Sequence, residues 1–187
     1  MPYKSAPGLT PLSKRIAPSA LALFLFATPA LAFDGYPAMY SPSSGLTAHG
    51  SVQVGSFVYL PAVNGKVKPN QIHNRALMVN KYIDESVDGF VRDATFNELR
   101  FVGIDVRGTD RILTGEIQQY SIDDISNPFE WTVVIRYVVK DKAGNTLYDA
   151  VKSSNPTSIR WSEWNFKELK PDIEALIADP DFIKAIN

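Results

Sequence analysis

The chain has 187 residues, a formal net charge of −1, 45% hydrophobic residues and no cysteine. That length suits one domain with short appendages, and the hydrophobic share excludes wholesale disorder. The missing cysteine excludes disulfides, thiolate nucleophiles, Fe–S clusters and Cys-ligated zinc, and the near-neutral charge speaks against a nucleic-acid-binding role.

Residues 1–32 read as a signal peptide. Lys4, Lys14 and Arg15 make a positive start without an acid, and the apolar run Ala20 to Ala27 follows. That run is too short to cross a bilayer core of roughly 30 Å. Ala30-Leu31-Ala32 then offers small residues ahead of cleavage before Phe33. Removal of the leader takes three of the 19 basic residues and leaves a mildly acidic exported chain. A lipid-anchored bacterial protein carries its Cys directly after the cleavage point, where Phe33 stands here. The expectation is therefore a periplasmic protein with no lipid anchor and no transmembrane segment in the mature chain.

Residues 33–50 are rich in Pro, Ser, Gly and Ala, lack periodicity, and are expected to form an extended lead-in. A single domain is expected over 51–187. Ser51 to Leu60 reads as the first strand, with Val52, Val54, Ser56 and Val58 on one face and Phe57 and Tyr59 on the other. Pro61 ends it, and Asn64-Gly65 and Lys68-Pro69-Asn70 mark a loop. A helix is expected over Ile83 to Val102, because Ile83, Val87, Phe90, Val91 and Ala94 keep one apolar stripe. Asp84, Glu85 and Asp88 suit its positive N-terminal end, and Gly103 suits its C-terminal end.

Three or four strands follow. Arg111 to Ile122 places Leu113, Gly115 and Ile117 on one face. Trp131 to Val139 alternates Trp131, Val133, Ile135, Tyr137 and Val139. Asp141 to Asn145 suits a hairpin turn into Thr146 to Ser153, and Thr157 to Trp161 reads as a last short strand. Phe166, Leu169, Ile173, Leu176 and Ile177 then form a helical stripe, with Pro171 tolerated near its start. Asp179-Pro180 closes that helix and caps another turn or two, where Phe182, Ile183 and Ile186 would pin the tail. The fold class is α+β: a mostly antiparallel sheet of four to five strands with two helices packed on one face, in β-α-β-β-β-α order.

Chemistry-bearing motifs are sparse. His49 and His73 are the only histidines and lie without metal-ligand spacing. Asp123-Asp124 lacks a calcium-loop context. Glu116 sits on a polar strand face. Arg107 to Arg111 is a charged turn, and no phosphate-cradling or nucleophile-elbow motif occurs. The reading is a protein that is not an enzyme, with no catalytic residue, no metal and no cofactor. Trp161 and Trp164 flank Ser162-Glu163 before the last helix and are the candidate partner-binding residues. The competing reading has one capping the core and the other shielding the strand–helix junction.

Three segments in order resemble the YajG-like lipoproteins. Val91-Arg92-Asp93-Ala94-Thr95-Phe96-Asn97-Glu98-Leu99, followed by Gly103-Ile104, looks like the family's V-R-D-A…E-L helix leading to G-I. Leu113-Thr114-Gly115-Glu116-Ile117 is similar to its L-x-G-x-I strand. Leu176 to Asn187 looks like its closing L-I-x-D-P-x-F-I-x-A-I/L-N helix. The family is related in shape to auxiliary lipoproteins of ABC-type transporters and to LptE-like proteins, and this chain lacks its lipobox Cys. The resemblance implies a non-enzymatic envelope component and carries no catalytic residues. The expected role is a soluble periplasmic accessory or binding protein that meets envelope proteins through a sheet edge or aromatic patch. The alternative is a carrier of a lipid or other small apolar ligand between sheet and helix.

Overall fold

A computed structural model describes residues 38–75, 81–158 and 166–187 of the chain. The leader expected over 1–32, the start of the lead-in and both Trp161 and Trp164 lie outside the described residues. The elements run β1 (Gln53–Tyr59), α1 (Leu60–Val63), β2 (Gln71–Asn74), β3 (Lys81–Tyr82), α2 (Val87–Phe101), β4 (Arg111–Asp123), β5 (Phe129–Asp141), β6 (Thr146–Ser154) and β7 (Thr157–Ser158). A 3₁₀ turn (Lys167–Leu169), α3 (Lys170–Ile177) and α4 (Pro180–Ile186) close the chain.

The fold is α+β, but its sheet is mixed where a mostly antiparallel one was expected. The strand order is β3-β2-β4-β5-β6, with β1 also on β4 and β7 on β5. β4, β5 and β6 are antiparallel neighbours, whereas β1 and β2 both run parallel to β4. The cause is connectivity. A strand that reaches its neighbour through a crossover helix returns in the same direction, and α2 is that crossover between β1 and β4. Among the described residues, four α-helices stand where two were expected. α1 is a single turn begun by Pro61, and the Asp179-Pro180 step divides the C-terminal stripe into α3 and α4.

Why α2 starts at Val87 and not at Ile83 is local. The Ser86 hydroxyl accepts from the Gly89 N–H at 3.3 Å and caps the helix. Ile83 instead donates its own N–H to the Asn70 carbonyl and is fully buried outside the helix. The stripe Val87, Phe90, Val91, Ala94, Thr95, Glu98 and Leu99 is buried. Gly103 ends the helix at φ 104°, and a Cβ there would lie 3.0 Å from the Ala48 carbonyl oxygen.

Two β-bulges set which side chains face the core. Between Val54 and Phe57, β1 advances three residues while β4 advances two, from Leu113 to Gly115. The extra residue reverses the alternation. Val52 is buried before the bulge; Phe57 and Tyr59 are buried after it, and Val58 turns outward. A second bulge between Ile117 and Gln119 does the same to β4, so Tyr120 and Ile122 follow Leu113 and Ile117 into the core. β5 has no such break and buries Trp131, Val133, Ile135, Tyr137 and Val139. Against this face pack α2, α3 and α4. Gly115 is bare because the Phe57 ring crosses it, and a Cβ would sit 2.2 Å from that ring.

Candidate functional site

The expected partner-binding pair, Trp161 and Trp164, cannot be placed, since both fall outside the described residues. The described chain ends on one side with β7 paired to Phe129–Glu130 and resumes at Phe166. Phe166 is buried, with its ring 4.9 Å from that of Phe90 and 6.4 Å from that of Trp131.

The other residues raised by the sequence do not converge. The His49 carbonyl accepts from the Asn187 amide, while His73 lies on β2. Asp123 accepts from the Ile125 N–H, and Asp124 pairs with Lys81 at 3.4 Å. Asp110 pairs with Lys142 across an exposed turn. Among the described residues, no group of three or more His, Asp or Glu is placed to hold a metal.

What the fold does bring together is a cleft beside an edge strand. β6 is nine residues long, and among the described residues it pairs only with β5. A cleft of about 490 Å³ lies between β6 and α4. The strand contributes Leu147, Tyr148, Asp149 and Ala150, α4 and its cap contribute Asp179, Asp181, Lys184 and Ala185, and Arg111 comes from β4.

The cleft's walls are fixed by Asp179. One of its oxygens accepts from the Asp181 N–H at 2.9 Å, which caps α4. The other accepts from the Tyr148 hydroxyl at 2.8 Å and from Lys152 at 2.6 Å, both on β6. The Lys152 bond, helped by the Tyr148 hydroxyl, holds the Asp179 carboxyl down at about 2. Beneath them Phe182 is fully buried with its ring 5.6 Å from that of Tyr148. On the outer face Arg136 forks onto Asp149 at 2.8 and 2.7 Å and reaches Glu116 at 3.2 Å. This arrangement ties β4, β5 and β6 together, and Arg136 holds Asp149 below the usual carboxylate range.

Two buried acids stabilise the frame behind the cleft. Glu98 on α2 is fully buried and accepts from the Tyr40 hydroxyl at 2.5 Å and the Ser44 N–H at 2.7 Å. It therefore anchors residues 38–50, which contain no helix or strand. Asp172 on α3 accepts from the Tyr137 hydroxyl at 2.9 Å, and burial pushes its carboxyl up to about 7. Both acids look into packed side chains. Their chemistry is that of a structural staple.

Sequence reasoning missed Arg136 and gave Asp179 only its capping role. The signal for Arg136 was present: a cation at mid-strand in the outward register of β5, opposite Glu116 on β4. Its pairing with β6 required the strand register.

No family model matches the chain, and no curated protein matches it. Solved structures do. One is a crystal structure of an uncharacterized protein, 8% identical, with a TM-score of 0.50 over 74% of this chain and 94% of that one. The hypothetical protein CT253 from Chlamydia trachomatis is 10% identical, with a TM-score of 0.42 over 74% of this chain and 94% of its own. Lipoprotein GNA1162 from Neisseria meningitidis is 12% identical, with a TM-score of 0.32 over 69% of this chain and 98% of its own. No described helix is long and apolar enough to cross a membrane. The chain thus carries an α+β fold with a mixed sheet, and it shares that fold with the first of these structures.

Proposed function

We propose that this protein is a non-enzymatic accessory protein of the bacterial cell envelope, exported to the periplasm, that docks an extended segment of a partner protein along β6. One observation carries the reading: a nine-residue edge strand beside a cleft, with its backbone groups open on one side among the described residues. Such an edge offers a ladder of hydrogen bonds to a partner strand, and alternate side chains then enter the neighbouring groove. Proteins usually blunt long edges with lysines or prolines. β6 has one lysine, Lys152, and it is held by Asp179, while Leu147 and Val151 are 42% and 51% exposed.

The filled space between sheet and helices supports protein contact over carriage of an apolar ligand. Leu113, Ile117, Ile135, Leu169, Ile173 and Phe182 occupy it with no exposed surface. The leader-like segment at 1–32 and the resemblance to YajG-like proteins support an envelope setting for a domain over 51–187. Trp161 and Trp164 are read as a second, aromatic contact.

Site-specific photo-crosslinking in cells tests this function. A photoreactive residue at Val151 is expected to capture one envelope protein through a contiguous extended segment, while the same group at exposed Val63 captures none. Equal capture at both positions, or no capture at Val151, would refute it.

A further inference from the structure

The far side of the sheet holds a second cleft, lined by different residues. β4 is served along one edge by two parallel strands in succession. β1 accompanies it as far as Tyr59 opposite Ile117, and β2 takes over at His73 opposite Ser121. The splice between them falls on Gln118–Tyr120, where β4 is bulged. A cleft of about 280 Å³ opens there, lined by Lys66, His73, Arg75, Gln118 and Gln119 beside Pro61 and Tyr120.

Its charge sets it apart. The lining contains no carboxylate, in a chain whose net charge is −1. The β6 cleft contains three aspartates, and two further surface clefts contain Asp88 and Glu174. Among the described residues neither Lys66 nor Arg75 forms an ion pair, so both charges face solvent uncompensated. The floor is held in place by Tyr59, which is buried. Its hydroxyl donates to the Tyr120 carbonyl at 3.3 Å. One phenol thereby fixes the end of β1 against the bulge of β4.

We infer that the β1–β2 splice is a binding site for a small phosphoryl-bearing anion, held by Lys66 and Arg75 with His73, Gln118 and Gln119 as additional hydrogen-bond donors. Two cations match the charge of a phosphate monoester dianion. The donors outnumber what the two oxygens of a carboxylate can accept, and the Arg75 guanidinium suits a forked contact to phosphate. The small volume fits a phosphoryl group with a few attached atoms and no bulky body. The source of that group is either a soluble phosphate ester or the headgroup of a phospholipid.

Titration of the full-length mature protein by two-dimensional NMR distinguishes the two sources. The probes are inorganic phosphate, glycerol phosphate, and vesicles of phosphatidylglycerol with phosphatidylcholine vesicles as control. Saturable shifts of the His73 and Gln119 amides are expected. Saturation by glycerol phosphate assigns a soluble ester, and a response to phosphatidylglycerol vesicles alone assigns a headgroup. Both outcomes support the site. The double substitution Lys66→Met, Arg75→Met is expected to weaken binding by about tenfold or more. Because both side chains are exposed, it should leave the thermal midpoint unchanged. Absence of saturable shifts with every probe, or undiminished binding by the double variant, would overturn the inference.

Discussion

The two long sides of the sheet are built in opposite ways. On one side β6 is a single continuous strand, antiparallel to its neighbour. On the other, the edge of β4 is covered by two short parallel strands, and β3, only two residues long, ends the row. A continuous edge presents backbone hydrogen-bonding groups in register, which suits another polypeptide strand. A spliced edge interrupts the ladder and gathers side chains from three segments, which suits a small charged ligand. On the proposed readings, one sheet serves two kinds of recognition, set by whether its edge is whole or broken.

The largest expected effect falls on the β6 side. Phe182→Ala removes a fully buried ring that packs α4 onto Tyr148. It should cost about 3–5 kcal/mol in chemical denaturation and open the cleft wall. An unchanged midpoint would mean that α4 does not help to define the cleft.

Next comes the β1–β4 contact that leads into the splice. Gly115→Ala drives a methyl group into the Phe57 ring and should cost about 1–3 kcal/mol. Phe57→Leu in the same chain should recover part of that loss, because the obstruction is the ring itself. Simple additivity in this double-mutant cycle would refute the contact.

A smaller effect, with a pH signature, belongs to Asp179. Asn also caps helices, so Asp179→Asn isolates the loss of the Lys152 interaction. The expected cost at neutral pH is about 1–2 kcal/mol for this partly buried pair. The folded carboxyl titrates at about 2, below the ordinary aspartate value. Its contribution is therefore fully present above about pH 4 and lost as pH falls toward 2. Wild type and variant should converge in stability over that window, as measured by urea melts at stepped pH.

The smallest effect is on the outer face. Arg136 is 38% exposed, so Arg136→Gln should shift the denaturation midpoint least of these substitutions despite three hydrogen bonds, and less still in high salt. A larger loss would show that β6 depends on this arrangement for its place in the sheet.

How much of this was legible before the fold is clear from particular residues. β5 alternates without interruption, and Trp131, Val133, Ile135, Tyr137 and Val139 share the buried face that this alternation predicts. The C-terminal stripe was legible for the same reason, because Leu169, Ile173, Phe182 and Ile186 repeat at helical spacing and are all buried. β1 was misread. The expected face of Val52, Val54, Ser56 and Val58 is split by a bulge, and strict alternation has no term for an inserted residue. β2 and β3 were missed because four and two residues are too few to show a period. The parallel pairing was hidden because the hairpin signals after β4 suggested an antiparallel sheet throughout.

The sites divide along the same line. A sheet edge was named as a contact surface, but which strand stood at the edge required the pairing order. The splice cleft was not legible at all. Lys66, His73, Arg75 and the two glutamines come from three segments, and only the handover between β1 and β2 joins them.

The most direct test of β6 as a docking edge is residue-resolved amide hydrogen exchange across Thr146–Ser154, in the free protein and in the isolated complex with the partner captured at Val151. On an edge strand, alternate amides point outward. The account predicts that these alternate β6 amides slow sharply in the complex while the Gln118–Tyr120 amides are unchanged. Unaltered exchange along β6, with protection appearing elsewhere on the domain, would contradict it.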